Sequence, residues 1–158
     1  MAVRFPSTEF FQALQAQMSA ERDRFRQLGY FDTNMGIRVL GDRLPGGRWE
    51  GLLSFEVFEC IDVRQTDLSR EKVDFTLEGD LSVWAEMLAN IKQHGAADTA
   101  HTINTLTHFG EGLRCVYDDP DGHDKLYRFA ESVQEFFDLA AKLDIELPAA
   151  SAAASAHA

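Results

Sequence analysis

Residues 73 to 88 read Val73-Asp74-Phe75-Thr76-Leu77-Glu78-Gly79-Asp80-Leu81-Ser82-Val83-Trp84-Ala85-Glu86-Met87-Leu88, and the period of the apolar positions changes inside this stretch. Val73, Phe75 and Leu77 alternate with Asp74, Thr76 and Glu78, the two-residue period of a strand with one buried and one wet face. Beyond Gly79-Asp80 the spacing widens. Leu81, Trp84, Leu88 and Ile91 recur as on one face of a helix, joined by Met87 on the same side. Asp80 is placed to cap that helix by accepting its first free amide hydrogens, and Gly95 ends it. A strand that runs into a helix, each with one apolar face, predicts an α+β layer arrangement.

Upstream, Leu53, Phe55, Val57, Ile61 and Val63 share one parity against Ser54, Glu56 and Asp62, which predicts a long or bent strand. The link from Thr66 to Glu71 is short and polar. With the weaker alternation of Tyr30 to Leu40 and the turn Leu44-Pro45-Gly46-Gly47, these segments predict an antiparallel meander of three strands ending in Val73–Leu77. Before them, Ser7 and Thr8 introduce a helix whose Phe11, Leu14, Met18 and Phe25 lie on one face, stopped by Gly29.

Downstream, Asp98 is read as the cap of a short helix carrying Ile103 and Leu106, broken by Gly110 and Gly112. Leu113, Cys115 and Tyr117 then alternate as a last strand. Asp118-Asp119-Pro120-Asp121-Gly122 is a turn by composition. It leads into a helix with the stripe Leu126, Phe129, Val133, Phe136, Phe137 and Ala140. One domain is expected over residues 1–147, with a disordered Ala/Ser tail over 148–158.

Fifteen basic against twenty-six acidic residues give a formal charge of −11, which repels phosphate backbones and argues against nucleic acid. No apolar run approaches the roughly 20 residues that span a bilayer, so no stable membrane insertion is expected. Cys60 and Cys115 sit in alternating apolar stretches, where a thiol acts as a small hydrophobe. They could meet across adjacent strands. With two cysteines and no secretory apolar region at the start, a reducing cytoplasm is the expected compartment.

Several catalytic signatures are missing: there is no G-x-S-x-G elbow, no phosphate-binding loop and no cysteine pair at metal spacing. Gly110-Glu111-Gly112 precedes a strand and lacks the third glycine of a dinucleotide fingerprint. Aligning Gly122 on the sixth position of a calcium loop puts Tyr117 and Arg128 where carboxylates are needed, so the aspartates there are read as helix caps. His94, His101 and His108 recur every seven residues, about 10 Å apart along a helix axis, too far to share one metal. No metal and no cofactor is expected. Asp98 and His101, three apart, form a potential proton-transfer pair, with His108 as a further candidate.

The segment 73–88 resembles the sterol carrier protein 2 family, in which an alternating strand meets Gly-Asp and then a helix with an aromatic about four residues in and a leucine soon after. The order of elements over residues 7 to 143 agrees. This resemblance implies a mostly antiparallel five-stranded sheet with helices packed on one face and an apolar cavity between the layers. It also implies non-catalytic binding of a sterol, fatty acid or acyl-CoA. Carried over by position, the lining residues would be Trp84, Met87, Leu88 and Ile91 on the helix and Phe55, Val57, Phe75 and Leu77 on the sheet. Phe129, Val133, Phe136 and Phe137 would form a closing helix. The alternative is a small enzyme or accessory acting on a hydrophobic substrate in the same cavity, with Asp98, His101 or His108 as acid and base. An interaction domain with an exposed apolar patch on its C-terminal helix is a third reading. The sequence leaves the oligomeric state open.

Overall fold

The computed structural model describes residues 2–108 and 112–148. In chain order its elements are β1 (Val3–Arg4), α1 (Thr8–Ala20), α2 (Arg22–Leu28), β2 (Thr33–Leu40), β3 (Arg48–Glu56), β4 (Glu59–Gln65) and β5 (Phe75–Asp80). They continue with α3 (Leu81–His94), α4 (Ile103–His108), β6 (Arg114–Val116), α5 (Pro120–Arg128), α6 (Ala130–Asp138) and β7 (Ile145–Glu146).

The main sheet has five strands in the order β4-β3-β2-β5-β6, with three antiparallel pairings and one parallel pairing of β2 with β5. The expected meander is therefore corrected in its third member. Leu53 to Val63 is not one strand, because the chain reverses after Glu56 and returns as β4. The reversal escapes a pattern reading because its residues are apolar: Val57 occupies the left-handed region at φ 62 where Gly or Asn is usual. A register shift at Ser54/Phe55 then turns Cys60 inward and leaves Ile61 outside, 52% exposed.

β5 crosses back to lie beside β2, with Met35 opposite Phe75 and Leu40 opposite Asp80. The crossing segment lays Leu68 over Gly36 on the outer face. A Cβ at Gly36 would stand 2.5 Å from Thr76 Oγ1 and 3.0 Å from Leu68 Cδ1.

On the inner face, Met35, Ile37, Val39, Leu53, Phe55, Phe75 and Leu77 are buried beneath the helices. In α1 the Phe10 amide donates to Ser7 Oγ at 3.0 Å, closing the helix start. Phe11, Leu14 and Met18 are fully buried, and Phe25 joins them from α2, although Glu21 breaks the expected single helix in two. Gly29 ends α2 at φ 97.

Two cap assignments and one turn need revision. Asp80 occupies the cap position of α3, but its carboxylate accepts no amide hydrogen there. Asp98 holds the turn before α4, taking the Ala100 and His101 amides, while Thr102 Oγ1 accepts from Thr105 at the helix start. Gly122 lies inside α5, not in a turn, and it packs so closely on the chain just ahead of β5 that a Cβ there would meet the Asp74 carbonyl oxygen at 1.7 Å. Asp119 caps α5 as expected, accepting the Asp121 amide at 3.0 Å.

The C-terminal helix is likewise interrupted, at Phe129, and continues as α6. Tyr117 falls outside β6 and is exposed. Cys60 and Cys115 stand on opposite edge strands and are free, so they do not meet. Gly110 and residues 149–158 of the expected tail lie outside the described residues.

A feature without a sequence signal joins the two ends of the described chain. β1 and β7 form a parallel two-residue ribbon, Val3 opposite Ile145 and Arg4 opposite Glu146. Among the described residues no helix is long and apolar enough to cross a membrane.

Candidate ligand-binding site

Helical spacing brings Trp84, Met87, Leu88 and Ile91 onto the sheet side of α3, all fully buried. Phe75 and Leu77 come from β5 and Phe55 from β3, while Val133, Phe136 and Phe137 descend from α6. The aromatic rings meet across the layers: Phe55 and Phe136 edge to face at 5.0 Å, Trp84 and Phe137 tilted at 5.7 Å. The structure thus gathers ten of the twelve named lining positions into one core. Phe129 is half-buried at its border, 5.6 Å from Phe31. Val57 does not belong there: it sits in the β3–β4 turn, 38% exposed.

The gathered side chains occupy the layer themselves, so a ligand would enter by displacing them. Unbranched Met87 is suited to such adjustment. Among the described residues no charged residue is fully buried, and the buried polar ones are Thr33, Thr76 and Ser132. Within this uncharged interior the Trp84 indole nitrogen has no hydrogen-bond partner. Leaving a buried donor unmet costs about 1–3 kcal/mol.

Two recesses adjoin the core. The larger, of about 900 Å³, is bordered by the N-terminal segment and the β2–β3 turn, with Phe5, Pro6, Leu44, Trp49, Leu81 and Leu147 among its walls. Phe5 faces this cleft and also approaches Trp84, ring centres 6.2 Å apart. Sequence reading passed over Phe5, which belongs to no periodic run, and Trp49, which shares the parity of Leu53 and Phe55 but is cut off from them by Gly51. The signals available were aromatic character beside Pro6 for the first and strand parity for the second. The second recess, of about 300 Å³, lies between α4 and the α5–α6 pair, where His108 Nε2 contacts the Tyr127 hydroxyl.

The acid–base candidates are separated from the aromatic layer. His101 Nδ1 lies 2.6 Å from Asp98 and its Nε2 3.3 Å from Glu86, whose side chain is largely exposed on the far side of α3. Hydrogen bonds from His101 and then Asn90 hold the Asp98 carboxyl down at about 2. The Asp98 hydrogen bond raises His101 above its ordinary value. With both ring nitrogens facing carboxylates, His101 has no free lone pair to offer a substrate. His108 pairs with Tyr127 instead of joining them. Burial drives Cys60 up to about 12 and Cys115 to about 11, so neither thiol is a ready nucleophile.

A five-stranded mixed sheet carrying its helices over one apolar face is also found in the crystal structure of sterol carrier protein 2. The two superpose with a TM-score of 0.62 at 17% identity, covering 85% of this chain and 95% of that one. The fold is that of sterol carrier protein 2. A solution structure from Thermus thermophilus, described as a candidate sterol carrier protein, gives a TM-score of 0.66 at 15% identity, over 90% of this chain and 91% of the other. The sequence matches no family model and no curated relative, so the likeness to sterol carrier protein 2 is carried by the fold.

Proposed function

We propose that this chain binds an apolar small molecule of the lipid class, a sterol, fatty acid or acyl-CoA, between the sheet and helices α3 and α6, without catalysing a reaction on it. The observation that carries the reading is the aromatic, uncharged layer in which Phe55, Phe75, Trp84, Phe136 and Phe137 converge. The sterol carrier protein 2 fold supports it. Such a layer can hold a ligand largely by desolvation. At ~25 cal/mol per Å², burying about 300 Å² of lipid surface is worth roughly 7.5 kcal/mol before ordering costs.

Native mass spectrometry of the purified chain, followed by organic extraction, tests the reading directly. A stoichiometric apolar molecule, displaced competitively by a fluorescent fatty acid or sterol, is the expected result. Protein that emerges empty and takes up no sterol, fatty acid or acyl-CoA would mean that the layer is only a closed core.

A further inference from the structure

Among the described residues, two buried side-chain polar atoms find no partner, Glu21 Oε2 and Trp84 Nε1. Glu21 is accounted for by charge: Arg24 stands 3.8 Å from that oxygen and Lys142 pairs with the other. Trp84 has a single N–H, and nothing takes it. Its ring is fully buried, flanked by Phe5 at 6.2 Å and Phe137 at 5.7 Å. A phenylalanine would supply apolar surface at this position without an unmet donor, and buried tryptophans ordinarily find an acceptor.

We infer that the Trp84 N–H is the anchor for the ligand, donating to an uncharged oxygen on an otherwise apolar molecule: a hydroxyl, or the carbonyl of an ester or thioester. This rests on the binding reading above and narrows it. The oxygen must be uncharged because no cation is buried in the layer to pair with a carboxylate, and an unpaired buried charge is strongly unfavourable. The approach runs past Phe5, which lines the cleft of about 900 Å³ on one side and meets Trp84 on the other. The segment carrying Phe5 is held by the short β1–β7 ribbon, through the Val3 amide to the Asp144 carbonyl and the Phe5 amide to the Glu146 carbonyl. Few bonds need to open for that ring to swing outward.

The test compares hexadecanol, hexadecane and palmitate on the ¹⁵N-labelled full chain. The sequence has two tryptophans, and the Trp84 indole signal is assigned by its loss in Trp84→Phe. Hexadecanol is expected to bind and to move that proton signal downfield; hexadecane is expected to leave it in place. Palmitate at neutral pH is expected to bind more weakly than the alcohol. Trp84→Phe is expected to weaken hexadecanol about tenfold and hexadecane far less. Hexadecanol bound with neither of the two wild-type indole signals moved would overturn the anchor, whether or not the variant folds. So would an equal loss for alcohol and alkane in a folded variant, or palmitate binding as tightly as the alcohol. Failure of all three probes to bind wild-type protein, together with no uptake of sterol, fatty acid or acyl-CoA, would instead remove the binding reading itself, and the anchor with it.

Discussion

On β2, Met35, Ile37 and Val39 face the helices, while Gly36 and Arg38 face the other side of the sheet. The inner side is closed by volume: aromatic and aliphatic side chains from the sheet and the helices fill it without a buried charge. The outer side is closed by position. Glu50, Arg38, Glu78 and Arg114 stand directly opposite one another across β3, β2, β5 and β6. They form a ladder of alternating sign, with Arg38 bonded to Glu50 at 2.5 Å and to Glu78 at 3.1 Å. An apolar face can tolerate many registers of similar volume, whereas a one-residue slip would break every rung of this ladder. The comparison teaches that alignment and content are assigned to different faces, so that a change of volume on the inner face need not disturb the register set on the outer one.

The most severe way to break this division is Phe136→Ala, which removes the ring that meets Phe55. It is expected to lower stability by about 3–5 kcal/mol in urea unfolding. It should also create an apolar void that takes up benzene, seen as a rise in Tm with added benzene. No benzene effect would mean that the inner layer collapses instead of yielding room.

A smaller effect is expected on the outer face. Arg38→Met leaves Glu50 and Glu78 flanking an uncharged side chain, and should cost about 1–2 kcal/mol in the same assay, without any gain in benzene uptake. A loss as large as that of Phe136→Ala would show that the ladder carries the fold instead of aligning it.

The smallest effect is expected at the Asp98–His101–Glu86 cluster outside both faces. The Asp98 carboxyl sits below its ordinary 3.8, so its contribution is complete above about pH 4 and fades as pH falls toward 2. His101 sits above its ordinary 6.5, so its contribution is complete below that value and fades as pH rises through the raised one. The cluster is therefore at full strength between roughly pH 4 and 6.5. Asp98→Asn is expected to bring the His101 titration, followed by NMR, down toward its ordinary value with little change in stability. An unmoved titration would assign the shift to Glu86.

Where the fold was legible, one residue type and one period agreed. Phe75, Leu77, Trp84 and Leu88 disclosed a strand feeding a helix, and the resemblance drawn from them matches the observed fold. The partner of β5 was not legible, because alternation reports which face is buried and is silent about the neighbouring strand. Val57 misled for a related reason: a valine at positive φ gives no warning of a turn. Of the proposed site, spacing put helix positions 84, 87, 88 and 91 on one face, and the resemblance made them lining candidates. The unmet Trp84 donor could not, since partnership depends on chain segments as distant as Phe5 and Phe137.

The β1–β7 ribbon has a mechanical consequence. Its strands run parallel, so tension drawing residue 2 and residue 148 apart pulls the strands along their length in opposite directions. The bonds from Val3 to Asp144 and from Phe5 to Glu146 then share the load in shear instead of opening one after the other. A tether on either end of the described chain would thus act first on the segment that carries Phe5, setting a force threshold for moving the ring that stands between the cleft and Trp84.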